Sequence, residues 1–496
     1  MTVRCHFRSH QGPEQPVRVS ALVTTRYNTV MKRYSTQTTD GPRVTFWGAA
    51  QSVTGSMHLV EAAGRRILLD CGLVHGKKDE ARKRNASFPF VPASIDAVVL
   101  SHAHIDHCGN LPNLVRQGFD GPIYCTPATR DLLAVVLSDS ARIKGHAAVA
   151  VGAIQGNGDG SARPRLYTRS DADRAVLQCV AVPYETPHEI AAGIQLRFLD
   201  AGHILGSAMA ELTVAQSGKV SRILFTGDLG RRGLPFLREP SDVPGSDLLI
   251  CESTYGGRFH EGMEQTAVKM SEVVRRTLAR GGKVLIPAFS LGRTQIVVHY
   301  LRCWMRDGLL PKTPIYVDSP LAADIAEVYE RYSDVVLTAE GPGTPDITYV
   351  RTAEDSKALS ESSDPCIVVA SGGMCDGGRI LTYLRQYIDD PRATIVLVSY
   401  QATHSLGHKL LEKGPTVRFH GHVWNKWAEV VELKGFSGHA DQKDFMALLG
   451  ASAGKTRQVR LVHGEPEQAA ALAKSLREHG FTDVKAPHLK DTAEVA

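Results

Sequence analysis

The chain has 496 residues, 43% of them hydrophobic, with nine cysteines and a formal net charge of +5. That length allows two or three domains with sizeable cores, and the scattered single cysteines argue against both a disulfide framework and a thiolate zinc site, which fits a reducing cytoplasm. Residues 1–40 supply +4 of the charge through six basic side chains against Glu14 and Asp40, so the remaining body is close to neutral and does not by itself announce a polyanion partner.

Residues 1–42 read as a disordered basic extension, or as an over-long start with Met31 as the true initiator, and they lack the apolar core of a secretory signal. No run approaches the roughly 18 uncharged apolar residues a membrane span needs. From Val44 onward, short β-branched or aliphatic runs end in small polar residues: RILLDCG (66–72), DAVVLSHAH (96–104), IQLRFLDAGH (194–203), SRILFTGD (221–228), DLLICEST (247–254), KVLIPAFS (283–290), PIYVDSP (314–320), CIVVASGG (366–373), TIVLVSY (394–400) and QVRLVHGE (458–465). Helical patterns such as 129–143 and 264–282 lie between several of them, so the fold class is α/β with largely buried sheets. Polar residues gather just past the strand ends, where open sheets place their ligand crevices. The Gly-rich stretches 151–164 and 338–346 read as surface loops.

The densest of these strand ends is HAHIDH. His102 and His104, two apart in an extended segment, point the same way and can bind one ion. Asp106 and His107 are offset, open the next helix and address a second position, which suggests two metals. Other strand ends offer the missing donors. His102, His104, His203 and Asp228 would hold the first ion and Asp106, His107, Asp228 and His463 the second, with Asp228 bridging and positions left open for water, as a catalytic site requires.

Asp70 in LLDCG, the HAHIDH cluster, His203 and Asp228 follow one another as the motifs of the metallo-β-lactamase superfamily do, and the chain resembles that superfamily. Glu252 in ESTYGG, His439 in GFSGHAD, His463 in LVHGE, and an insertion bearing PAFSLGRTQ, VDSPLA and ASGGMCDGGR make it similar to the β-CASP branch of nucleic-acid-processing hydrolases over residues 44–488. The resemblance implies an αββα sandwich from residues 43–256 and 434–488, a β-CASP cap over 257–433, a tail at 489–496, and an active site between sandwich and cap. The layout is similar to compact bacterial and archaeal ribonucleases related to the pre-mRNA 3′-end endonuclease. Dizinc lactamases usually carry Cys where Asp228 stands, so Asp228 argues against lactamase activity, and DNA-directed members of the branch tend to carry Val where His463 stands, so His463 favours RNA.

The reaction expected from this resemblance is phosphodiester hydrolysis. Two zinc ions, with manganese tolerated by the same donors, would lower the pKa of a shared water towards about 7. The catalytic residues implied are Asp106, Glu252 and His439. His439 would be the general acid, oriented and kept protonatable by Glu252, and the products would carry 5′-phosphate and 3′-hydroxyl ends. Asp70 would support the ligand histidines from behind. In ASGGMCDGGR the backbone N–H groups of Ser371, Gly372 and Gly373 could receive a substrate phosphate, with Arg379 and Arg293 pairing with it, although a plain tight turn and solvated helix charges are the simpler readings. Trp424 and Trp427 read as packing at the cap boundary more than as base-stacking groups. The implied partner is RNA, single-stranded by preference, and a homodimer is compatible with it. Two alternatives use the same residues differently. One is a small-molecule thioester or lactone hydrolase, against which the cap and the Glu252, His439 and His463 set speak; the other is a non-catalytic RNA-binding subunit, which would have lost ligands that are all present here.

Overall fold

A computed structural model describes residues 41–495 apart from 77, 155–164, 234–236, 335–344 and 403–404. The basic extension 1–40 and most of the loop expected at 338–346 lie outside the described residues.

Two seven-stranded sheets face each other. The first runs in spatial order Thr492–Glu494, Arg43–Phe46, His58–Ala62, Arg65–Leu69, Ala97–Val99, Ile123–Cys125 and Cys179–Ala181. The second runs Asp483–Lys485, Gln458–Val462, Leu248–Glu252, Lys219–Phe225, Ala208–Gln216, Ile194–Asp200 and His188–Ala191. Alternation along each strand decides which layer a side chain joins. Ile67, Leu69, Ala97 and Val99 meet Leu196, Phe198, Leu212, Ile223 and Ile250 between the sheets. Leu68 and Val98 point the other way, onto Leu132, Leu133 and Val136 of the helix Pro127–Ile154. Behind the second sheet, Leu249 and Leu461 pack on Phe445 and Leu448 of Gln442–Leu449 and on Leu472 and Leu476 of Pro466–Glu478. These four layers are the expected αββα sandwich.

The stretch between the two parts of the sandwich builds a six-stranded, all-parallel sheet ordered Ile347–Val350, Ile315–Asp318, Ile367–Ser371, Val284–Ala288, Thr394–Leu397 and Glu429–Glu432. Its central strands are uninterrupted apolar runs because both faces are covered. Ile286, Val317 and Val369 pack on the side of the helices Met263–Ala279, Arg293–Arg306 and Pro320–Arg331, whereas Leu285, Val368 and Ile395 pack on Ile380–Tyr387 and Leu406–Leu411. The first of these two cores is continuous with the one under Pro127–Ile154, so insertion and sandwich share buried surface.

Three expectations change. The tail expected at 489–496 contains the strand Thr492–Glu494, antiparallel to Arg43–Phe46, with Ala493 and Val495 buried; its TAEV sequence alternates too briefly to be read as a strand without its partner. The loop expected from residue 151 begins later, because Pro127–Ile154 continues to residue 154, and the rest of that loop lies outside the described residues. Thr416–Phe419 and His422–Asn425 form an unforeseen hairpin, closed by His420 and Gly421 with φ of 49° and 79°, the left-handed pair that a two-residue hairpin turn needs. Trp424 stacks on Phe419 within it, while Trp427 is 59% exposed and so does not pack at a boundary. Among the described residues no helix is long and apolar enough to cross a membrane.

Ending the chain after Leu489 removes the edge strand and the burial of Val495, and should cost about 2–4 kcal/mol of stability by the usual value of burying such side chains. Urea unfolding of the full and shortened chains checks this; equal midpoints would contradict it.

Candidate metal centre and active site

Each candidate side chain hangs just past a strand of one of the facing sheets. His102 follows Ala97–Val99, and His104 caps the helix Ile105–Cys108 in an extended conformation, so Asp106 and His107 fall in its first turn. His203 follows Ile194–Asp200, Asp228 follows Lys219–Phe225, Glu252 ends Leu248–Glu252, and His463 follows Gln458–Val462. Gly72 allows the close approach on the first sheet, since a Cβ there would stand 1.6 Å from the Asp106 carbonyl oxygen. Asp70 and His463 adopt left-handed φ of 58° and 47°, a conformation uncommon for non-glycine residues.

The structure brings all seven candidate ligands together in two groups. His102, His104, His203 and Asp228 form one, and Asp106, His107 and His463 another, with the donor atoms of each within 4.8 Å of one another. In the first group His102 Nε2 stands 3.0 Å and His203 Nε2 3.3 Å from His104 Nδ1. In the second, His107 Nε2 and His463 Nε2 are 3.2 Å apart, and Asp106 Oδ2 is 3.4 Å from His463 Nε2. Asp228 belongs to both. Its Oδ1 lies 3.3 Å from both His107 Nε2 and His463 Nδ1, and its Oδ2 lies 3.5 Å from His102 Nε2 and 3.6 Å from His203 Nε2.

These residues fit metal ions. Asp228 Oδ1 is buried without a hydrogen bond, a cost that a cation relieves. Burial pulls His102 and His203 well below the ordinary imidazole value and His104 to about 4, so these three rings are neutral, the form a metal takes. His107 is also buried, but Asp228 and Asp70 on either side drive its pKa up, marking a place where positive charge is stabilised. Asp70 sits directly behind it: Oδ2 accepts from His107 Nδ1 at 2.7 Å and from the Ser56 and Ser101 hydroxyls at 3.0 Å, while Oδ1 accepts from the Ser101 N–H. The ring is thereby fixed with Nε2 inward.

His439 reaches the cluster from the segment before Gln442–Leu449, whose N-cap is Asp441, so His439 is not a capping residue. Its Nδ1 lies 3.2 Å from Glu252 Oε1 and 3.9 Å from Asp228 Oδ2. Glu252 is fully buried and held by the Leu229 and Thr254 N–H groups at 2.8 and 3.1 Å. Burial opposes protonation of His439, but the Glu252 carboxylate and then Asp228 outweigh it, and its pKa stands above the ordinary value.

The phosphate candidates fare unevenly. The Gly372 N–H donates to the Ala288 carbonyl at 3.1 Å and is not free for a phosphate; the turn spends it closing onto the neighbouring strand. The Gly373 carbonyl accepts from Gln401, and Ser371 Oγ accepts from the Arg379 N–H. Arg293 is not a solvated helix charge, because it turns inward, donates to the Val398 carbonyl and leaves Nε buried without a partner, with its pKa lowered by burial to about 10. Lys409 is exposed. His188, His420 and His422 pack on Tyr124, Phe419 and Trp424, His75 is exposed, and His404 lies outside the described residues.

Several residues with a part in the site carry no strong sequence signal. Ser56 and Ser101 hold Asp70, and Thr254 Oγ1 lies 3.1 Å from His463 Nδ1. His260 Nε2 donates to the His439 carbonyl at 3.0 Å. Of these, only Thr254, two residues past Glu252, stands inside a motif.

A sandwich whose strand ends converge on paired imidazole and carboxylate groups defines a metal-dependent hydrolase, and comparison with known proteins agrees. Residues 52–257 match the family described as Metallo-beta-lactamase superfamily, 294–410 the Beta-Casp domain, and 427–487 the Zn-dependent metallo-hydrolase RNA specificity domain. The chain is 38% identical over 447 residues to Ribonuclease TTHA0252 of Thermus thermophilus, covering 88% of this chain and 96% of that one. It is 33% identical over 480 residues to Transcription termination factor FttA of Pyrococcus abyssi, covering 91% of this chain and 71% of that one. A solved structure, a protein of unknown function from Enterococcus faecalis V583, shares the fold with a TM-score of 0.50 at 13% identity, over 92% of this chain and all of that one. The chain belongs to the metallo-β-lactamase superfamily, in its β-CASP branch, and is a metallo-hydrolase.

Replacing Asp70 by Asn removes the charge that fixes His107 and should weaken metal affinity about 10–100-fold. Competition with a coloured chelator measures it, and an unchanged affinity would contradict the part given to Asp70.

Proposed function

We propose that the protein is a ribonuclease that hydrolyses RNA phosphodiester bonds with two zinc ions, manganese being the other ion its donors accept. The ions would be held by His102, His104, His203 and Asp228, and by Asp106, His107, Asp228 and His463. When bound, they supply a water of lowered pKa and positive charge for the phosphate oxygens. The observation that supports this reading most is the His439–Glu252 pair beside Asp228: a hydrolase of activated esters needs no proton donor there, whereas the sugar alkoxide leaving a phosphodiester does.

The chain's own residues then have distinct tasks. Glu252 Oε1 keeps a proton on His439 Nδ1, which leaves the protonated ring's Nε2–H to be given to the departing 3′-oxygen, so that products carry 5′-phosphate and 3′-hydroxyl ends. The Asp106 side chain, 28% exposed beside His463, is the accessible carboxylate of the cluster; burial opposes its ionisation, but the His463 hydrogen bond and the His107 charge hold its pKa well below the carboxylate range, so it stays an anion that orients the attacking water by accepting its hydrogen bond. His260 holds the His439 backbone through its carbonyl. The names of the relatives, ribonuclease and transcription termination factor, support RNA as the substrate class. In this reading the chain divides into a sandwich of 43–256 and 434–495, which takes in the strand Thr492–Glu494, and a cap of 257–433. Single-stranded RNA as substrate, a cytoplasmic setting and a homodimer belong to the same reading, as the sequence implied them.

End-labelled and internally labelled RNA incubated with the protein should be cut to 5′-phosphate products, and chelator should abolish the cutting; intact RNA alongside turnover of a chromogenic thioester would favour the small-molecule alternative. His439→Ala should lower kcat by about 10²–10⁴-fold with metal content retained. Glu252→Gln tests the proton's origin. The acid form of His439 is the active one and Glu252 raises its pKa, so activity falls as pH rises through that pKa, and the variant should lose activity at lower pH than the wild type. An alkaline limb that does not move would contradict the pairing.

A further inference from the structure

Many surface arginines of this protein come with a partner: Arg65 pairs with Asp96, Arg142 with Asp139, Arg169 with Asp173 and Arg276 with Glu429. One group on the outer face of the sandwich does not. Arg82, Lys83 and Arg84 on the helix Lys78–Ala86, and Arg116 at the end of the helix Leu111–Arg116, have no carboxylate partner among the described residues. Asp79 and Glu80 stand four residues before Lys83 and Arg84, the spacing at which helical charges meet, and still do not pair with them. Arg82, Lys83 and Arg116 are exposed and Arg84 is half-buried.

The helix Lys78–Ala86 has no apolar face, only Ala81 and Ala86, so packing does not hold it in place. Asn85 does. Its Oδ1 accepts from the Val74 N–H at 2.8 Å, its Nδ2 donates to the Val74 carbonyl at 2.9 Å, and its own carbonyl accepts from Asn113 Nδ2 at 2.8 Å. Gln117 Nε2 donates to the Ala86 carbonyl at 3.0 Å. Next to it, Arg116 Nη1 donates to the Arg165 carbonyl at 2.6 Å, which adds that exposed arginine to the same face. Pinning a polar helix by amides fixes its charges in space without burying apolar surface.

The same contacts tie the face to the metal cluster. Val74 follows Leu73, whose N–H donates to the Ile105 carbonyl at 3.0 Å in the helix that carries Asp106 and His107. The strands Ala97–Val99 and Ile123–Cys125 are parallel, so the connection between them, which includes Leu111–Arg116, runs from the cluster's edge of the sheet back to the opposite edge. The basic face therefore starts one loop from Asp106 and leads away from it. Five basic groups against two acids, on a body otherwise close to neutral, make a local field for a polyanion, and the position beside a phosphodiesterase centre favours RNA over an acidic protein.

We propose that this face is an exosite for RNA, where Arg82, Lys83, Arg84 and Arg116 contact backbone phosphates of the substrate beyond the active site and read no bases. The inference rests on the ribonuclease reading and adds a length preference: an RNA that reaches the face is held by it, and a short fragment is not.

Cleavage of two labelled RNAs by the metal-loaded full chain tests this, one of about 4 nucleotides and one of about 16, the limits of common single-strand site sizes. In the triple variant Arg82→Gln, Lys83→Gln, Arg84→Gln, KM for the longer RNA should rise about 10- to 100-fold at about 0.1 M salt with kcat unchanged. The short RNA should be cut as by the parent, which also shows that the variant is folded. The slope of log KM against log salt for the longer RNA should fall by about 0.7 for each contact removed. Arg82→Lys with Arg84→Lys keeps the charges and should keep the parental KM. An unchanged KM for the longer RNA in the triple variant, or an equal rise for both RNAs, would overturn the exosite while leaving the ribonuclease reading intact. Failure of the parent to cut either RNA would overturn the ribonuclease reading itself.

Discussion

The structure depends on how one buried carboxylate, Asp228, divides its two oxygens. Oδ1 faces His107 and His463, and Oδ2 faces His102 and His203. Removing so many polar groups from water costs several kcal/mol for each ion, and mutual attraction repays that only when the geometry is close. Burial alone would raise the Asp228 pKa, but His107 and then His463 hold it well below the carboxylate range, so the anion persists and draws positive charge to both sides. Two facing sheets satisfy the geometry because each delivers rigid strand ends to the same edge. His102, Asp106 and His107 come from one sheet, and His203, Asp228 and His463 from the other.

The inserted sheet answers a different need. The segment returning from the insertion carries His439 into contact with Glu252, and His260, just before the insertion's first helix, fixes the returning backbone. The continuous core beneath Pro127–Ile154 and the cap helices then sets the spacing of cap and cluster. His439 and the imidazole–carboxylate cluster are therefore positioned by separate elements that share buried apolar surface.

Much of this was legible in the chain itself, for physical reasons. Strands such as DAVVLSHAH and CIVVASGG announce themselves because buried parallel strands are unbroken apolar runs that must stop at polar residues. HAHIDH stands out because a strand end followed by a helical turn is the most local way to aim four donors at two points. His203, Asp228 and His463 were readable as candidates by their places just past apolar runs and by their order along the chain. Elements stabilised by distant partners stayed hidden: the strand Thr492–Glu494 exists through Arg43–Phe46, and Ser56 matters only because the fold carries it to Asp70. The glycine turn follows its simpler reading, a tight connection, since the Gly372 N–H is spent on Ala288.

Anomalous scattering at the zinc edge, from crystals of the protein loaded with zinc, tests the central claim most directly. Two peaks are expected on either side of the Asp228 carboxylate, one among His102, His104 and His203 and the other among Asp106, His107 and His463. One peak, or peaks that do not involve Asp228, in protein that still cleaves RNA would contradict it.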